Sequence, residues 1–342
     1  MKKCLIILAA AAVLTGCAEN ELTTPEEMSP AKITFTTAPL TKAGTFDTDK
    51  IFQTYAFYTT SAFDYTSGEE YIPASTVSYG TDDAWRTTGK TYLWPKDGGA
   101  LSFFSWSLNS TGLKYNDGTT PKVSFSATDG ITLTGYSSMG DNDFMVADPA
   151  LNLSENVKTY SHTGVPTLFR HKASQISFKV KTSKTYADRT FNVTGITFSN
   201  VSTSGKYVQG SDPTNSTAST EAWTPDDASG TTTSYYSSTE GTTFADTEVT
   251  VPVNGTSIFV PQTFSETDGK TVTVNYTVTA GTAVTAKSAT ISMNKLLGGG
   301  SNVAFIKGKY YTVTLVFSAG NEILWTPEVK DWTGVTEEVT VG

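Results

Sequence analysis

Alternation of apolar and polar positions dominates this chain. Val272, Val274, Tyr276 and Val278 alternate without a break with Thr273, Asn275, Thr277 and Thr279. A period of two is the mark of a strand with one covered and one wet face. Ile176, Phe178 and Val180 repeat the pattern against Ser177, Lys179 and Lys181, and Tyr311, Val313, Leu315 and Phe317 form another such strand. Phe191 and Val193 share one parity, whereas Ile196 and Phe198 share the other. Gly195 sits at the phase change and predicts a β-bulge. Ile258-Phe259-Val260 reads as a strand joined to the 272–278 strand through Asp268-Gly269, a hairpin signal.

The first half carries the same signal less cleanly. Ile33-Thr34-Phe35-Thr36 predicts a short strand, and a break follows from Pro39 to Gly44. Ile51 to Tyr58 predicts an aromatic-rich strand through Phe52, Tyr55 and Phe57. Tyr92-Leu93-Trp94-Pro95 and Leu101 to Trp106 read as a pair across the turn Lys96-Asp97-Gly98-Gly99. Residues 202–248 are rich in Ser, Thr, Gly and Asp, and read mostly as a long surface excursion. Trp223 and the Tyr235-Tyr236 pair either anchor that excursion or bind something.

Helical stretches rich in Leu and Ala are almost absent, and aromatic residues reach 12%. That composition belongs to an all-β protein. The length accommodates two domains of ordinary size, each able to bury its own core, or one large one. Turn and polar residues cluster between Asp148 and Pro166. The expected division is therefore 32–158 and 159–342, two domains in tandem, with the 202–248 excursion in the second.

The N-terminus changes the picture. Lys2 and Lys3 precede an apolar run from Leu5 to Val13, followed by Leu14-Thr15-Gly16-Cys17. This is a secretory signal, and the run is too short for a membrane span. The small residues before the cysteine resemble the lipobox of bacterial lipoproteins. That resemblance implies a diacylglycerol on the Cys17 thiol, cleavage between Gly16 and Cys17, and removal of residues 1–16. The alternative is an ordinary secretory signal with a chance cysteine. Residues 17–31 read as a tether, and Glu19 and Glu21 resemble surface-display signals of Bacteroidetes lipoproteins. The only other cysteine, Cys4, lies inside the signal, so the mature chain forms no internal disulfide. Removing Lys2 and Lys3 leaves 22 basic against 33 acidic residues, a net charge of −11. No basic stretch stands out, which argues against nucleic acid as a partner.

No chemical constellation emerges. His162 and His171 lie in no metal-ligand spacing. Asp141-Asn142-Asp143 lacks the glycine and distal glutamate of a calcium loop. Asp82-Asp83 and Asp226-Asp227 read as solvated turns, and Gly298-Gly299-Gly300-Ser301 lacks the lysine of a phosphate loop. The expectation is a non-enzyme with no cofactor and no metal.

Several landmarks occur in a recognisable order: Ile33-Thr34-Phe35 before Thr41-Lys42-Ala43, then Trp94-Pro95, Leu101 to Trp106, and Asp143-Phe144-Met145-Val146-Ala147. Leu168 to Ser174, Val260-Pro261-Gln262, Gly308-Lys309-Tyr310-Tyr311 and Val329-Lys330-Asp331-Trp332 follow. In this the chain resembles the fimbrillin family of Bacteroidetes, the subunits of type V pili and their relatives. The resemblance implies two transthyretin-like β-sandwich domains and maturation by removal of the first strand. On this chain the displaced strand is centred on Ile33 and Phe35, and the cut falls between Lys42 and Ala43. Lys42 stands where many relatives have arginine, so a lysine-specific protease is implied; a solvated loop lysine is the alternative. The implied donor is the C-terminal segment with Ile323, Trp325, Val329, Trp332, Val335, Val339 and Val341, unless that segment is a permanent edge or core strand of its own domain. Implied partners are other pilus subunits and the outer membrane through the Cys17 lipid, with a surface glycan or protein as a further target. The implied location is the cell outer membrane as a surface-exposed lipoprotein, and the pilus after processing. The rival is a carbohydrate-binding lipoprotein of a nutrient-uptake system, with Trp85, Trp223, Tyr235 and Tyr236 stacking on sugar rings.

Overall fold

The computed structural model describes residues 31–39, 46, 48–64, 68–108, 122–126, 129–138, 142–159, 162–210, 221–301, 303–320 and 322–332. Gly16, Cys17, Lys42, Ala43, Val335, Val339 and Val341 lie outside them. The described chain is nearly all strand. The first half runs β1 (Phe35–Pro39), β2 (Ile51–Thr59), β3 (Glu69–Tyr79), β4 (Trp85–Thr87), β5 (Ala100–Leu108), β6 (Lys122–Ser126), β7 (Gly130–Ser137), β8 (Phe144–Ala147), β9 (Ala150–Leu153), β10 (Val157–Thr159) and β11 (His162–His171). Next come β12 (Ser174–Thr182), β13 (Thr190–Ser199), β14 (Ser204–Val208), β15 (Ala222–Pro225), β16 (Thr232–Phe244), β17 (Val249–Thr250), β18 (Ile258–Phe259), β19 (Gln262–Phe264), β20 (Thr271–Ala280) and β21 (Ala283–Ser292). One helical turn, α1 (Met293–Leu296), precedes β22 (Val303–Phe305), β23 (Lys309–Phe317) and β24 (Ile323–Asp331).

The large sheet of the first half has the order β1-β4-β3-β2-β5-β8-β11-β10, and β1 also pairs with β11. The sheet therefore closes on itself, with β1 as the closing strand. Its two faces follow the period of two. On β5, Leu101 and Phe103 face an inner core with Phe52, Ile72, Val77, Trp85 and Phe169. Phe104, Trp106 and Leu108, of opposite parity, face a second core with Ile131, Leu133, Phe144 and Tyr207. That second core lies under the four-stranded sheet β15-β14-β7-β6. Both faces of β5 are thus covered, which explains its unbroken apolar run. Each fully buried large side chain there contributes roughly 1.5–3 kcal/mol.

The second half is a sandwich. Sheet β17-β12-β23-β24 faces sheet β16-β13-β20-β21, and Ile176, Phe178, Val180, Val313 and Leu315 meet Phe191, Val193, Ile196, Val272 and Val274 in one core. The bulge expected at Gly195 is present: the register shifts between Val193 and Gly195 against both β16 and β20. It keeps Phe191 and Val193 buried together with Ile196 and Phe198 despite their opposite parity.

Two sequence readings are corrected by the pairing. Tyr92-Leu93-Trp94 does not pair with 101–106; Leu93 bridges Lys32 instead, while β5 pairs with β2, β8 and β9. The bend at Lys96-Gly99 exists, with Asp97 Oδ1 accepting from the Gly99 amide, but it sends the chain to a different neighbour. Asp268-Gly269 is also a real turn, with Gly269 at φ 69°. It leads into β20 from β19, which pairs with β22, while β18 pairs with β12 in the other sheet.

Residues 202–248 are structured over most of their described length. β14 and β15 form a hairpin that returns to the first half and pairs with β7, and β16 is a thirteen-residue strand on β13. The division expected at 158/159 also meets a different pattern: β11 pairs with β1, β8 and β10 of the first sheet. The change of body falls near Lys172-Ala173, where β11 runs directly into β12.

Candidate functional site

The seam around β1 is built from few residues. Ile33 and Phe35 share one parity and project into the inner core, 3% and 2% exposed. The Phe35 ring meets Phe52 edge-on at 5.6 Å and Phe103 at 5.8 Å. β1 runs parallel to β11 from Phe35↔Val165 to Pro39↔Phe169. On its other side it touches β4 only at Phe35↔Trp85. Ahead of β1, the Ile33 amide donates to Tyr92 O and the Trp94 amide donates to Ala31 O, each at 2.9 Å.

Two residues that the sequence reading passed over shape this seam. Asn156 works as an adapter: its Nδ2 donates to Lys32 O at 2.9 Å, and its Oδ1 accepts from Trp94 Nε1 at 2.9 Å and from the Thr34 amide at 3.4 Å. Gly164 on β11 lets β1 come close. A Cβ there would sit 2.7 Å from the Phe35 carbonyl carbon and 2.9 Å from Thr36 Oγ1, distances no side chain tolerates. Neither residue belongs to a sequence motif, so only the fold could expose them. The buried Thr36 Oγ1 has no hydrogen-bond partner. The seam is thus closed by aromatic packing and one parallel ladder, with a desolvated hydroxyl counting against it.

The C-terminal strand occupies a different place. β24 pairs with β23 in full antiparallel register, from Phe317↔Ile323 to Lys309↔Asp331, and forms the end of its sheet. Ile323 is buried in the sandwich core of the second half and Trp325 packs against it, with Trp325 Nε1 donating to Lys295 O at 3.0 Å. Val329 is exposed. Trp332 is buried and stacks flat on His171, centroids 4.1 Å apart and planes 6° apart.

His171 belongs to a junction between the two halves. Its Nδ1 lies 2.7 Å from Asp143 Oδ2, so Asp143 is engaged with a histidine. The Lys172 amide donates to Phe144 O, the Gly308 amide to Ala173 O, and the Trp332 amide to Gly308 O, each at 2.8 Å. Beside them Lys172 Nζ lies 2.8 Å from Glu221 Oε1, side chains 6% and 4% exposed. Tyr207 donates to Glu221 Oε1 at 2.6 Å, and Lys307 pairs with Glu221 Oε2. Burial pushes the Lys172 ammonium below its ordinary range, opposed by Glu221. Burial also acts to raise Glu221, but Lys172, Lys307 and Tyr207 outweigh it and hold the carboxyl below its ordinary value.

The aromatic residues considered for sugar stacking are in use elsewhere. Trp85, Tyr235 and Tyr236 are buried. Trp223 packs against the second core of the first half, and its Nε1 donates to Lys172 O at 2.6 Å. Among the described residues no group of three or more His, Cys, Asp or Glu is placed to hold a metal ion, and no helix is long and apolar enough to cross a membrane.

Comparison with known proteins agrees with this architecture. A crystal structure of a fimbrial protein from Bacteroides vulgatus superposes with a TM-score of 0.58 at 18% identity, over 88% of this chain and 99% of that one. A cell adhesion protein from Bacteroides uniformis gives a TM-score of 0.48 at 16% identity, over 89% and 98%. A search of curated proteins returns no match. The fimbrillin-like family pattern matches residues 29–332. That match runs from just before the seam strand to the tryptophan at the junction, and by it the chain belongs to the fimbrillin-like family.

Proposed function

We propose that this protein is a structural or adhesive subunit of a cell-surface pilus, exported as a lipoprotein precursor and assembled by protease-triggered strand exchange. The observation that carries the reading is the position of β1. It is the first strand of the described chain, it closes the large sheet, and it fills the inner core with Ile33 and Phe35. A cut between Lys42 and Ala43 separates it, with the Cys17 lipid and the tether, from everything that follows. Phe46, which stacks on Phe169 at 4.6 Å, stays with the body.

Loss of β1 uncovers backbone donors and acceptors of β11 and an apolar slot beside Phe52 and Phe103. Such an edge recruits another strand. A strand from a neighbouring subunit makes the contact head-to-tail, and repetition of that contact builds an open filament. Uncut, the same molecule stays held at the outer membrane with its slot filled. The membership of the fimbrillin-like family and the fimbrial fold relative support the pilus role.

The test is direct. Purified precursor treated with a lysine-specific protease is expected to yield heat-resistant ladders on a denaturing gel. A clean monomer after complete cleavage at Lys42 contradicts the proposal.

A further inference from the structure

The two outer faces of the second sandwich differ in kind. On sheet β17-β12-β23-β24 the outward positions carry charge: Lys179 and Lys181 pair with Glu248, and Lys330 pairs with Glu328. Sheet β16-β13-β20-β21 has strands of thirteen, ten, ten and ten residues, yet they hold only two charged side chains, Glu240 and Lys287. Both sit on end strands of the sheet. Glu240 lies where β16 shifts register against β13, and Lys287 is on the core side of β21, opposite Tyr276. Average composition is about 25% charged, and the two sheets of one sandwich share the same strand propensities. The contrast between their outer faces therefore needs another cause.

What faces outward on the uncharged sheet is hydroxyl, amide or small. Thr273, Asn275 and Thr277 alternate along β20 with the buried Val272, Val274 and Tyr276. Across the sheet, Ser234, Thr197, Thr273 and Thr290 form one row, and the Thr273 and Thr290 hydroxyls are 3.0 Å apart. The rings of these four strands, Phe191, Phe198, Tyr235, Tyr236, Phe244 and Tyr276, are all buried in the sandwich core. Nothing is left on this face for a sugar ring to stack on. A hydroxyl both donates and accepts, so an array of hydroxyls can bond to its own duplicate, which a face of one charge cannot. With 22 basic against 33 acidic residues in the mature chain, copies repel one another, and an uncharged face is where two of them meet at least cost. Four strands about 4.8 Å apart and about 33 Å long span roughly 600 Å². Two such faces in contact bury about 1,200 Å², the lower end of the range for specific interfaces.

We propose that the outer face of sheet β16-β13-β20-β21 is a self-association surface, which a second copy of this chain covers with the same face. The contact is isologous, with the two sheets stacked and their strands within about 30° of each other. It uses neither β1 nor the cut at Lys42, so it is present in the uncut precursor. Under the pilus reading the face recurs in every subunit, and weak contacts add up along two filaments laid side by side.

The experiment uses the uncut chain from Ala18 onward, which contains no cysteine. Sedimentation velocity from micromolar to near-millimolar protein is expected to show a reversible monomer–dimer equilibrium. Added salt is expected to strengthen it by screening the repulsion between acidic copies. A monomer at every concentration overturns the proposal. Ser237→Lys/Asn275→Lys changes two exposed positions on the face; it is expected to keep its melting temperature and to weaken the dimer by more than roughly tenfold. Leu324→Lys/Thr326→Lys, on the opposite outer face, is expected to leave the dimer unchanged. A dimer that survives the first pair, or is lost with the second, overturns the proposal. A second measurement covers a lysine variant that fails to fold. Asn275→Cys treated with a short bismaleimide is expected to give a covalent dimer, and Thr326→Cys to give none. Equal cross-linking at the two positions, or cross-linking at Thr326→Cys alone, places the contact elsewhere and overturns the proposal.

Discussion

Replacing Phe35 by alanine tests whether β1 is held as a separable unit. The ring is 2% exposed and lies edge-on to both Phe52 and Phe103. Truncating a buried phenylalanine costs about 3–5 kcal/mol through lost transfer energy and the cavity left behind. Each aromatic pair accounts for about 0.5–1.5 kcal/mol beyond area. The upper half of the range applies here, because Trp85 and Phe169 pack on Phe52 and restrict collapse into the void. A loss of about 4 kcal/mol raises the open population of β1 by roughly three orders of magnitude. Native-state hydrogen exchange reads this locally. Amides of residues 35–38, of Val165 and of residues 167–169 are expected to exchange through an opening cheaper by that amount. Amides of β12 and β23, which contribute to another core, are expected to keep their protection. Equal loss of protection in both halves, or none in β1, refutes the idea that this strand opens on its own.

Three further perturbations follow from the same geometry. Gly164→Ala places a methyl group against the Phe35 backbone and is expected to weaken the hold on β1 by about 1–3 kcal/mol, seen as faster protease cutting at Lys42 at unchanged stability of the second half. Thr36→Val removes a buried hydroxyl without a partner; it is expected to raise denaturant stability by about 1 kcal/mol and to slow release of the first strand. Glu221→Gln leaves Lys172 buried beside a neutral amide and is expected to cost about 3–5 kcal/mol, most of it recovered in Lys172→Met/Glu221→Leu, by urea denaturation. The sign of the pH effect is also set. Because Glu221 has a lowered pKa in the folded protein, its contribution is present above the ordinary glutamate value of about 4.3 and is lost as pH falls through the folded value. The stability difference between the parent and the Lys172→Met/Glu221→Leu variant is therefore expected to shift toward the variant on acidification.

Local structure was legible where one face of a strand is wet. Val272 to Val278 and Tyr311 to Phe317 each have one face on the sandwich core of the second half, so their alternation gave strands directly. Gly195 gave the bulge because its neighbours change parity while all must stay inside. Partners were less legible, since pairing across tens of residues leaves no local mark. Tyr92-Leu93-Trp94 has strand composition, but its neighbour is Lys32. The β14–β15 hairpin is mostly small and polar, and its two anchors, Tyr207 and Trp223, are far apart in sequence. They meet across the hairpin as register partners, and they reach their core only when the hairpin pairs with β7. The seam was legible in part: Ile33 and Phe35 stood out by parity, while Asn156 and Gly164 act through backbone contacts that no motif announces. The family landmarks have a physical explanation at the junction. Asp143, His171, Lys172, Gly308 and Trp332, scattered along the sequence, are joined there by the His171–Asp143 contact, the stack of His171 on Trp332 and three backbone hydrogen bonds.

The central claim is that the first strand occupies a slot which another strand can take. Titrating a synthetic peptide of residues 31–39 into protein that begins at Ala43 tests it most directly. The account predicts saturable one-to-one binding that depends on Phe35 of the peptide and protects β11 amides from exchange. A folded body that leaves the peptide unbound, or binds it equally well with alanine at position 35, contradicts it.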